Sequence, residues 1–233
     1  MADIYVYGAI GDDWSEDCTT AKNFADRLAE AKGEDVTIHI NSAGGNVFDA
    51  NTMSELVRSY SGKTTASIEG LAASAASYFA LTADDVVMNP SALLMIHNPY
   101  ACCMGDAEQM RKTAGMLDKV KSTITAQYVR KTGKDESEVA ELMDAETWMT
   151  AKEAYEGGFV DRLTDDEPVA AMLTEDELRS FRNAPSGLSA KDGDDGQNIC
   201  AENSAEGSGA GAAKEGTEAV HRTVCINGQF LKY

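Results

Sequence analysis

Short apolar runs alternate along the chain with segments of helical periodicity. Residues 36–40, 64–69 and 92–96 are rich in β-branched and apolar side chains, which predicts buried strands. Residues 47–60 carry apolar positions at helical spacing, and the alanine-rich residues 72–81 predict a tightly packed helix. Strands and helices that alternate in this way predict βαβ units and a parallel sheet.

A longer amphipathic helix is predicted over residues 106–131. One face of it carries Met110, Leu117, Val120 and Ile124. Thr132-Gly133 ends this helix, and a shorter helix is predicted over residues 136–143. An apolar stripe on so long a helix needs a covering surface, and self-association would supply one.

Ser74 lies where the second predicted strand gives way to a helix. Gly70 is expected to break that strand, which leaves the backbone N–H groups of Ser74 and Ala75 unpaired at the start of the helix. The helix dipole favours negative charge there. A serine at such a turn can act as a nucleophile if a base lies within hydrogen-bond reach. The alternative is a small-residue helix in which serine only replaces alanine.

The run Asn41-Ser-Ala-Gly44-Gly45 is expected to end the first of these strands abruptly. A double glycine lets the backbone approach a ligand closely and lets N–H groups point into a cleft. The N–H groups of Gly45 and Ala75 are therefore the predicted oxyanion donors. A plain tight turn is the other interpretation.

His97 is the predicted general base. It follows the apolar strand over residues 92–96, and side chains at such a strand end reach a crevice. The chain has three histidines; His39 falls inside an alternating strand and His221 in an irregular tail. A purely structural histidine at a strand terminus remains the alternative.

The order of these motifs, followed by the run Thr150-Ala-Lys-Glu-Ala154-Tyr-Glu-Gly-Gly158-Phe-Val-Asp161, resembles the ClpP family of serine peptidases over about residues 3–165. The resemblance implies an α/β fold of ClpP/crotonase-like stacked βαβ units with a protruding handle helix. It also implies that Ser74 is the nucleophile, that His97 is the base, and that Gly45 and Ala75 form the oxyanion hole.

The acid of the triad is open between two carboxylates. Gapless matching to the family places Glu146 at the acid position, and Asp144 is the competitor. The acid must orient the imidazole and stabilise the imidazolium, which glutamate can do with one more methylene. The other interpretation places both carboxylates in a solvated loop. The family's substrate groove, where a peptide adds as an extended strand, maps to Gly44, Val47, Tyr100 and Ala101.

The function implied is peptide-bond hydrolysis by a homo-oligomeric ring or stacked rings. The first predicted strand starts at Asp3, without the docking segment of housekeeping members. In this the chain resembles phage and prophage ClpP-like endopeptidases associated with head maturation. We therefore expect ATPase-independent processing of capsid or scaffold proteins. The alternatives are a catalytically degenerate ring or scaffold component and a crotonase-fold acyl-CoA enzyme.

The net charge and the apolar content of the chain limit the kinds of molecule that it can bind. The net charge of −19 argues against nucleic acid, which needs a basic face. No apolar run approaches the roughly 20 residues that span a membrane, and no signal peptide is evident, so a cytoplasmic location in a bacterium or a phage's host cell is expected.

The five cysteines lack metal-ligand spacing. No metal or cofactor is expected.

Three regions are predicted. Residues 1–165 form the peptidase domain, with the handle at about residues 106–143. Residues 166–184 form a short helical extension, its helix starting near Thr174. Residues 185–233 form an acidic tail rich in Gly, Ser and Ala that buries too little apolar surface to fold, although residues 220–233 regain apolar character compatible with a short strand or a recognition segment.

Overall fold

A computed structural model describes residues 1–11, 18–165, 172–185, 188–191, 223–226 and 229–232. The strands are β1 (Ala2–Ile10), β2 (Val36–Gly45), β3 (Thr64–Ala73), β4 (Asp85–Met88), β5 (Leu93–Ile96), β6 (Ala101–Cys103), β7 (Thr147–Thr150), β8 (Arg162–Leu163), β9 (Met172–Thr174), β10 (Ser189–Lys191), β11 (Thr223–Ile226) and β12 (Gln229–Lys232). The helices are α1 (Ala21–Glu30), α2 (Val47–Ser59), α3 (Ala75–Ala80), α4 (Ala107–Thr132), α5 (Glu136–Asp144), α6 (Ala151–Glu156) and α7 (Glu175–Ser180).

The main sheet brings the ends of three parallel strands to one crevice. β1, β2, β3 and β4 pair in that order, β5 also pairs with β3, and β7 runs antiparallel to β5. Ser42 of β2 lies opposite Ala72 of β3, and Ala73 lies opposite Met95 of β5. Because parallel strands present their carboxyl ends on one side, the residues after β2, β3 and β5 meet there.

Two predicted strand ends are wrong. β2 continues through Asn41 to Gly45, and Gly70 does not break β3, which continues to Ala73. The following helix accordingly starts at Ala75 instead of residue 72. Residues 71–73 are buried on a central strand between β2 and β5, so ladder pairing on both sides outweighs the weak strand preference of glycine.

Hydrophobic packing covers both faces of β3. The main core packs Ala72 with the helices, and its largest fully buried side chains include Tyr78, Tyr128, Phe24, Phe79 and Phe159. Leu71 and Ala73 point to the opposite face and form a second, smaller cluster with Met95. The partly buried residues Ala43, Leu93, Trp148, Leu178, Phe181 and Leu188 cover this cluster.

The helix α4 is buried mainly in its C-terminal half. A capping box between Asp106 and Gln109 starts it, and Gly133 ends it in the left-handed conformation, with φ of 69°. Its buried residues, Val120, Ile124, Thr125 and Tyr128, all lie in the C-terminal half. Met110 in the N-terminal half is 50% exposed, so the predicted apolar stripe is partly uncovered in one chain.

Residues beyond the main sheet add short elements. The helix predicted to start near Thr174 is α7, which begins at Glu175 and ends at Ser180, and residues 172–174 before it form β9. β9 pairs with β10, and β11 pairs with both β12 and β6. Most of the tail predicted to be disordered lies outside the described residues. In the part of the chain that the structure describes, no helix is long and apolar enough to cross a bilayer.

Candidate active site

Ser74 occupies a strained turn that presents its hydroxyl to His97. Its φ of 54° and ψ of −124° are rare for a residue with a Cβ atom. Its side chain does not cap α3. Instead, Ser74 Oγ lies 2.7 Å from His97 Nε2. A serine on a sharp strand-to-helix turn, bonded to an imidazole, has the geometry of an activated nucleophile.

Hydrogen bonds on both sides hold this turn. The Ser74 N–H donates to Met95 O at 3.0 Å, so the prediction that this N–H is unpaired was wrong. Ser77 Oγ donates to Ser74 O at 2.6 Å and lies 2.7 Å from the Tyr128 hydroxyl. Because the single Ser77 hydroxyl proton goes to Ser74 O, Tyr128 donates to Ser77. The nucleophile's backbone is thereby tied to the buried half of α4.

Two glycines allow β2 to reach the nucleophile. Gly44 has a φ of +98°, and a Cβ there would lie 2.8 Å from Ser74 Cβ and 2.8 Å from Ala75 N. Gly45 has a φ of +143°, and a Cβ there would lie 2.2 Å from Ile10 O. Only glycine fits both positions. Ala75 begins α3, so its N–H has no acceptor within the helix and stands beside Gly44.

His97 is buried and neutral. Its residual exposure is 8%, and burial lowers its pKa to about 4, although the charge of Glu146 opposes this shift and that of Arg182 adds to it. A neutral imidazole has a free lone pair with which to accept a proton. The ring of Tyr100 lies 5.9 Å from the imidazole, edge to face.

Glu146 is the carboxylate whose charge acts on His97. It is 3% exposed and has a φ of 51°. Burial alone would raise its pKa, but backbone hydrogen bonds from Arg182 and Asn183, with one from Trp148 Nε1, lower the pKa overall. In the described part of the chain, these three residues are its hydrogen-bond donors, and no hydrogen bond joins it to His97.

Asp144 faces solvent. Its side chain is 58% exposed, accepts a hydrogen bond from Asn98 Nδ2 at 2.7 Å, and pairs with Lys121. The pKa of Asp144 is lowered by these two hydrogen bonds. The structure therefore places Glu146 in the buried site beside His97 and leaves Asp144 outside it.

Three of the four predicted groove residues lie near Ser74 and His97: Gly44 adjoins Ser74 Cβ, Val47 lines a cavity beside Ser74, and the Tyr100 ring lies 5.9 Å from the imidazole. A small cavity of about 10 Å³ adjoins the nucleophile. Its lining consists of Val47, Ser74, Ala75, Tyr78, His97, Pro99, Ile124 and Tyr128. Ala101 begins β6, four residues after His97, and lies opposite Ile226 of β11. In the described residues, no group of His, Cys, Asp or Glu side chains could hold a metal ion.

Sequence reasoning missed two sets of residues here. Ser77 and Tyr128 support the Ser74 turn, and the only signal was a second serine one helical turn after the first. Arg182 and Asn183 bind Glu146 through backbone N–H groups. Every residue except proline carries that donor, so no sequence pattern could reveal it.

The burial of His97 predicts activity at acidic pH. Because its pKa is about 4, the base stays neutral well below pH 6.5, and we expect kcat/KM to fall only as the pH approaches 4. Stability changes in the same direction: the unfolded chain takes up the His97 proton near pH 6.5, so this contribution is complete above that pH and is lost towards pH 4. A pH–rate profile with a parallel unfolding series measures both, and an acidic limb centred near 6.5 would contradict the expectation.

Fold and site together define an α/β protein with a hydrogen-bonded serine–histidine pair at the carboxyl ends of its parallel strands. Residues 2–167 match the Clp protease family, and the chain belongs to that family. The resemblance to ClpP inferred from the motifs is thus confirmed.

The sequence is also similar to individual proteins named as Clp protease subunits. The ATP-dependent Clp protease proteolytic subunit 1 of Protochlamydia amoebophila is 30% identical over 135 residues, covering 56% of this chain and 66% of that protein. The ATP-dependent Clp protease proteolytic subunit of Chaetosphaeridium globosum is 34% identical over 134 residues, with the same two coverages, 56% and 66%. The chain thus spans slightly less than two thirds of these relatives.

A solved structure confirms the predicted fold class. The ClpP1 N165D mutant from Listeria monocytogenes superposes with a TM-score of 0.61 at 20% identity. The match covers 76% of this chain and 94% of the Listeria chain.

Proposed function

We propose that this chain is a serine endopeptidase that hydrolyses peptide bonds through Ser74, His97 and Glu146. The observation that carries the proposal is the 2.7 Å contact between Ser74 Oγ and His97 Nε2 on a strained strand-to-helix turn. Membership of the Clp protease family supports peptides as the substrate class. The ionised Glu146 beside His97 supports its role as the acid.

The reaction proceeds in two acyl-transfer steps. Ser74 Oγ attacks the scissile carbonyl carbon while His97 Nε2 takes the hydroxyl proton. The imidazolium then gives that proton to the leaving amine, and the C–N bond breaks. Water, deprotonated by His97, hydrolyses the acyl-enzyme and regenerates Ser74. The Glu146 carboxylate stabilises the imidazolium in both steps, and no cofactor is required.

The tetrahedral oxyanion needs donors beside Ser74. The Ala75 N–H at the start of α3 is one proposed donor, and the close approach of Gly44 to Ala75 N supports a site at this position. Gly45 is the second proposed donor, from the end of β2. The substrate would lie along Val47, Tyr100 and Ala101.

We further propose a homo-oligomer that processes phage capsid or scaffold proteins without an ATPase. The partly uncovered apolar stripe of α4, with Met110 50% exposed, supports a second copy as its cover. ATPase independence and the capsid or scaffold substrate rest on the sequence resemblance alone. Cleavage of an unfolded protein by the purified chain in the absence of nucleotide tests ATPase independence.

The experiment that tests the peptidase site is covalent labelling of the assembled chain by a fluorophosphonate probe, read by intact mass. We expect one adduct on the wild type and on Ser67→Ala, a control serine on β3, and none on Ser74→Ala. An unlabelled, folded wild type would contradict the proposal and favour a catalytically degenerate scaffold. Thioester hydrolysis that survives Ser74→Ala would instead favour a crotonase-fold acyl-CoA enzyme.

A further inference from the structure

Residues that follow the segment matched by the Clp protease family lie in the active site. The match ends at residue 167, yet residues 181–183, called here the acid clamp, lie against the catalytic groups. The ring of Phe181 lies 5.9 Å from the imidazole of His97 and 5.3 Å from the indole of Trp148, edge to face in both cases. Phe181 of the acid clamp therefore packs against the base from outside the matched residues.

The acid clamp binds both carboxylate oxygens of Glu146. Arg182 N–H donates to Oε2 at 3.0 Å, and Asn183 N–H donates to Oε1 at 2.7 Å. The Asn183 side-chain amide also donates to Ala145 O at 2.8 Å, which anchors the acid clamp to the turn that carries the acid. These are short, charge-assisted contacts to a group that is 3% exposed.

We propose that the acid clamp is a positioning element for the catalytic acid, which keeps Glu146 ionised and fixed beside His97. The proposal rests on the peptidase function proposed above. A carboxyl group this buried would favour its neutral form, which could not stabilise the imidazolium. The two backbone N–H groups reverse that preference.

Apolar packing holds the acid clamp in place. Leu178, Phe181 and Leu188 cover the second hydrophobic cluster, whose buried members are Leu71, Ala73 and Met95. Leu71 and Ala73 belong to β3, which leads directly into Ser74. The acid and the nucleophile are thus supported by one packed unit.

The test compares Asn183→Pro with Asn183→Ala in the full chain. Both variants lose the side-chain amide, but only proline loses the N–H that binds Glu146. For Asn183→Pro we expect kcat to fall about 10- to 100-fold with little change in KM. The acidic limb of kcat/KM should also move to higher pH, because losing this N–H raises the pKa of Glu146, and protonation of Glu146, no longer that of His97, then sets the limb. For Asn183→Ala, which keeps the backbone N–H, the acidic limb of the kcat/KM profile should stay at the wild-type pH even if kcat changes.

A double-mutant cycle separates positioning from general damage to the fold. If the acid clamp acts through Glu146, Asn183→Pro should have little further effect in a Glu146→Gln background. Multiplicative losses, an unmoved acidic limb, or a gain in activity would each overturn the proposal. A wild type that is not labelled at Ser74 would instead refute the peptidase function itself.

A separate observation concerns the edge of β6. This strand starts four residues after His97, and Tyr100 between them touches the imidazole. In the described residues its partner is β11, which runs antiparallel with Cys225 opposite Cys102 and Val224 opposite Cys103. A strand from the chain's own C-terminal hairpin therefore runs along the edge that leads to the Ser74–His97 pair.

We infer that β11 is an intramolecular occupant of the edge that a substrate peptide would use. An extended peptide pairs with an exposed strand edge through backbone hydrogen bonds, so β11 excludes a substrate that pairs with the same edge of β6. This inference also rests on the proposed peptidase function. Hydrolysis then requires the hairpin to leave.

Native cysteines allow a direct test. Directly opposite residues of antiparallel strands have Cα atoms about 4.5–5.5 Å apart, within the range of a disulfide. In the full chain, diamide would oxidise the two thiols to one disulfide and be reduced to the hydrazine. We expect a Cys102–Cys225 bond at monomer mass, at least about tenfold slower peptide hydrolysis, and recovery with dithiothreitol.

The control is Cys225→Ser, which should form no such bond and lose no further activity with diamide. Three results would overturn the inference: no Cys102–Cys225 bond, the same bond between two chains, or unchanged hydrolysis by the cross-linked chain. Bond formation does not depend on catalysis. It therefore reports on the pairing even if the peptidase proposal fails.

Discussion

Replacing His97 with alanine is expected to slow peptide hydrolysis by about 10³- to 10⁵-fold. The variant loses the only described base within 2.7 Å of Ser74 Oγ, so the hydroxyl must give up its proton to water. Substrate binding should change little, because the lost interaction develops in the transition state. The measurement is kcat and KM for a peptide substrate, together with the rate of fluorophosphonate labelling.

His39→Gln is the matched control. His39 also bonds a carboxylate, with Nδ1 2.7 Å from Glu69 Oε1, and it stacks on the ring of Tyr5 at 4.7 Å. This cluster lies on β1, β2 and β3, away from the crevice. We expect activity within about threefold of wild type. If His97→Ala kept more than about a tenth of the activity, the assignment of the base would be wrong.

Replacing Glu146 with glutamine is expected to lower kcat by about 10²- to 10⁴-fold. The substitution keeps the size of the side chain but removes the negative charge that stabilises the buried His97 imidazolium. It also turns one acceptor oxygen into an NH₂ group facing a backbone N–H of Arg182 or Asn183, so thermal stability should fall as well. Steady-state kinetics and thermal unfolding measure the two effects separately.

Asp144→Asn tests the competing carboxylate. Asp144 is more than half exposed, and exposed ion pairs such as its contact with Lys121 contribute little. We expect kcat within about threefold of wild type. A large loss in Asp144→Asn with none in Glu146→Gln would reverse the choice of acid.

The sequence predicted best the features that depend on local patterns. The apolar periodicity of residues 47–60 and the Gly133 stop gave helix ends within one residue of α2 and α4, because propensity and capping act over a single turn. The contact between Ser74 and His97 could be expected because each residue follows an apolar strand. Parallel strands bring such ends together whatever the details of packing.

The features that were missed depend on contacts between distant residues. Gly70 stays in β3 because the strand is paired before and after it, with β2 and β4 up to Ile68 and with β2 and β5 from Leu71, and none of these neighbours could be read from the glycine itself. The pairing of β6 with β11 joins residues more than a hundred positions apart. The acid clamp uses backbone donors, which leave no trace in residue type.

The hydrogen-bonded path from Tyr128 through Ser77 to the Ser74 carbonyl links the backbone of the proposed nucleophile to α4, so we expect the reactivity of Ser74 to depend on the position of α4. Coupling between two sites is reciprocal. A surface that holds α4 in place will favour the reactive turn, and acylation of Ser74 will in return slow hydrogen exchange in the buried half of α4. Subunit assembly and acylation of Ser74 are then expected to favour the same ordered arrangement of α4 and the Ser74 turn, so the effect of each can be measured through the other.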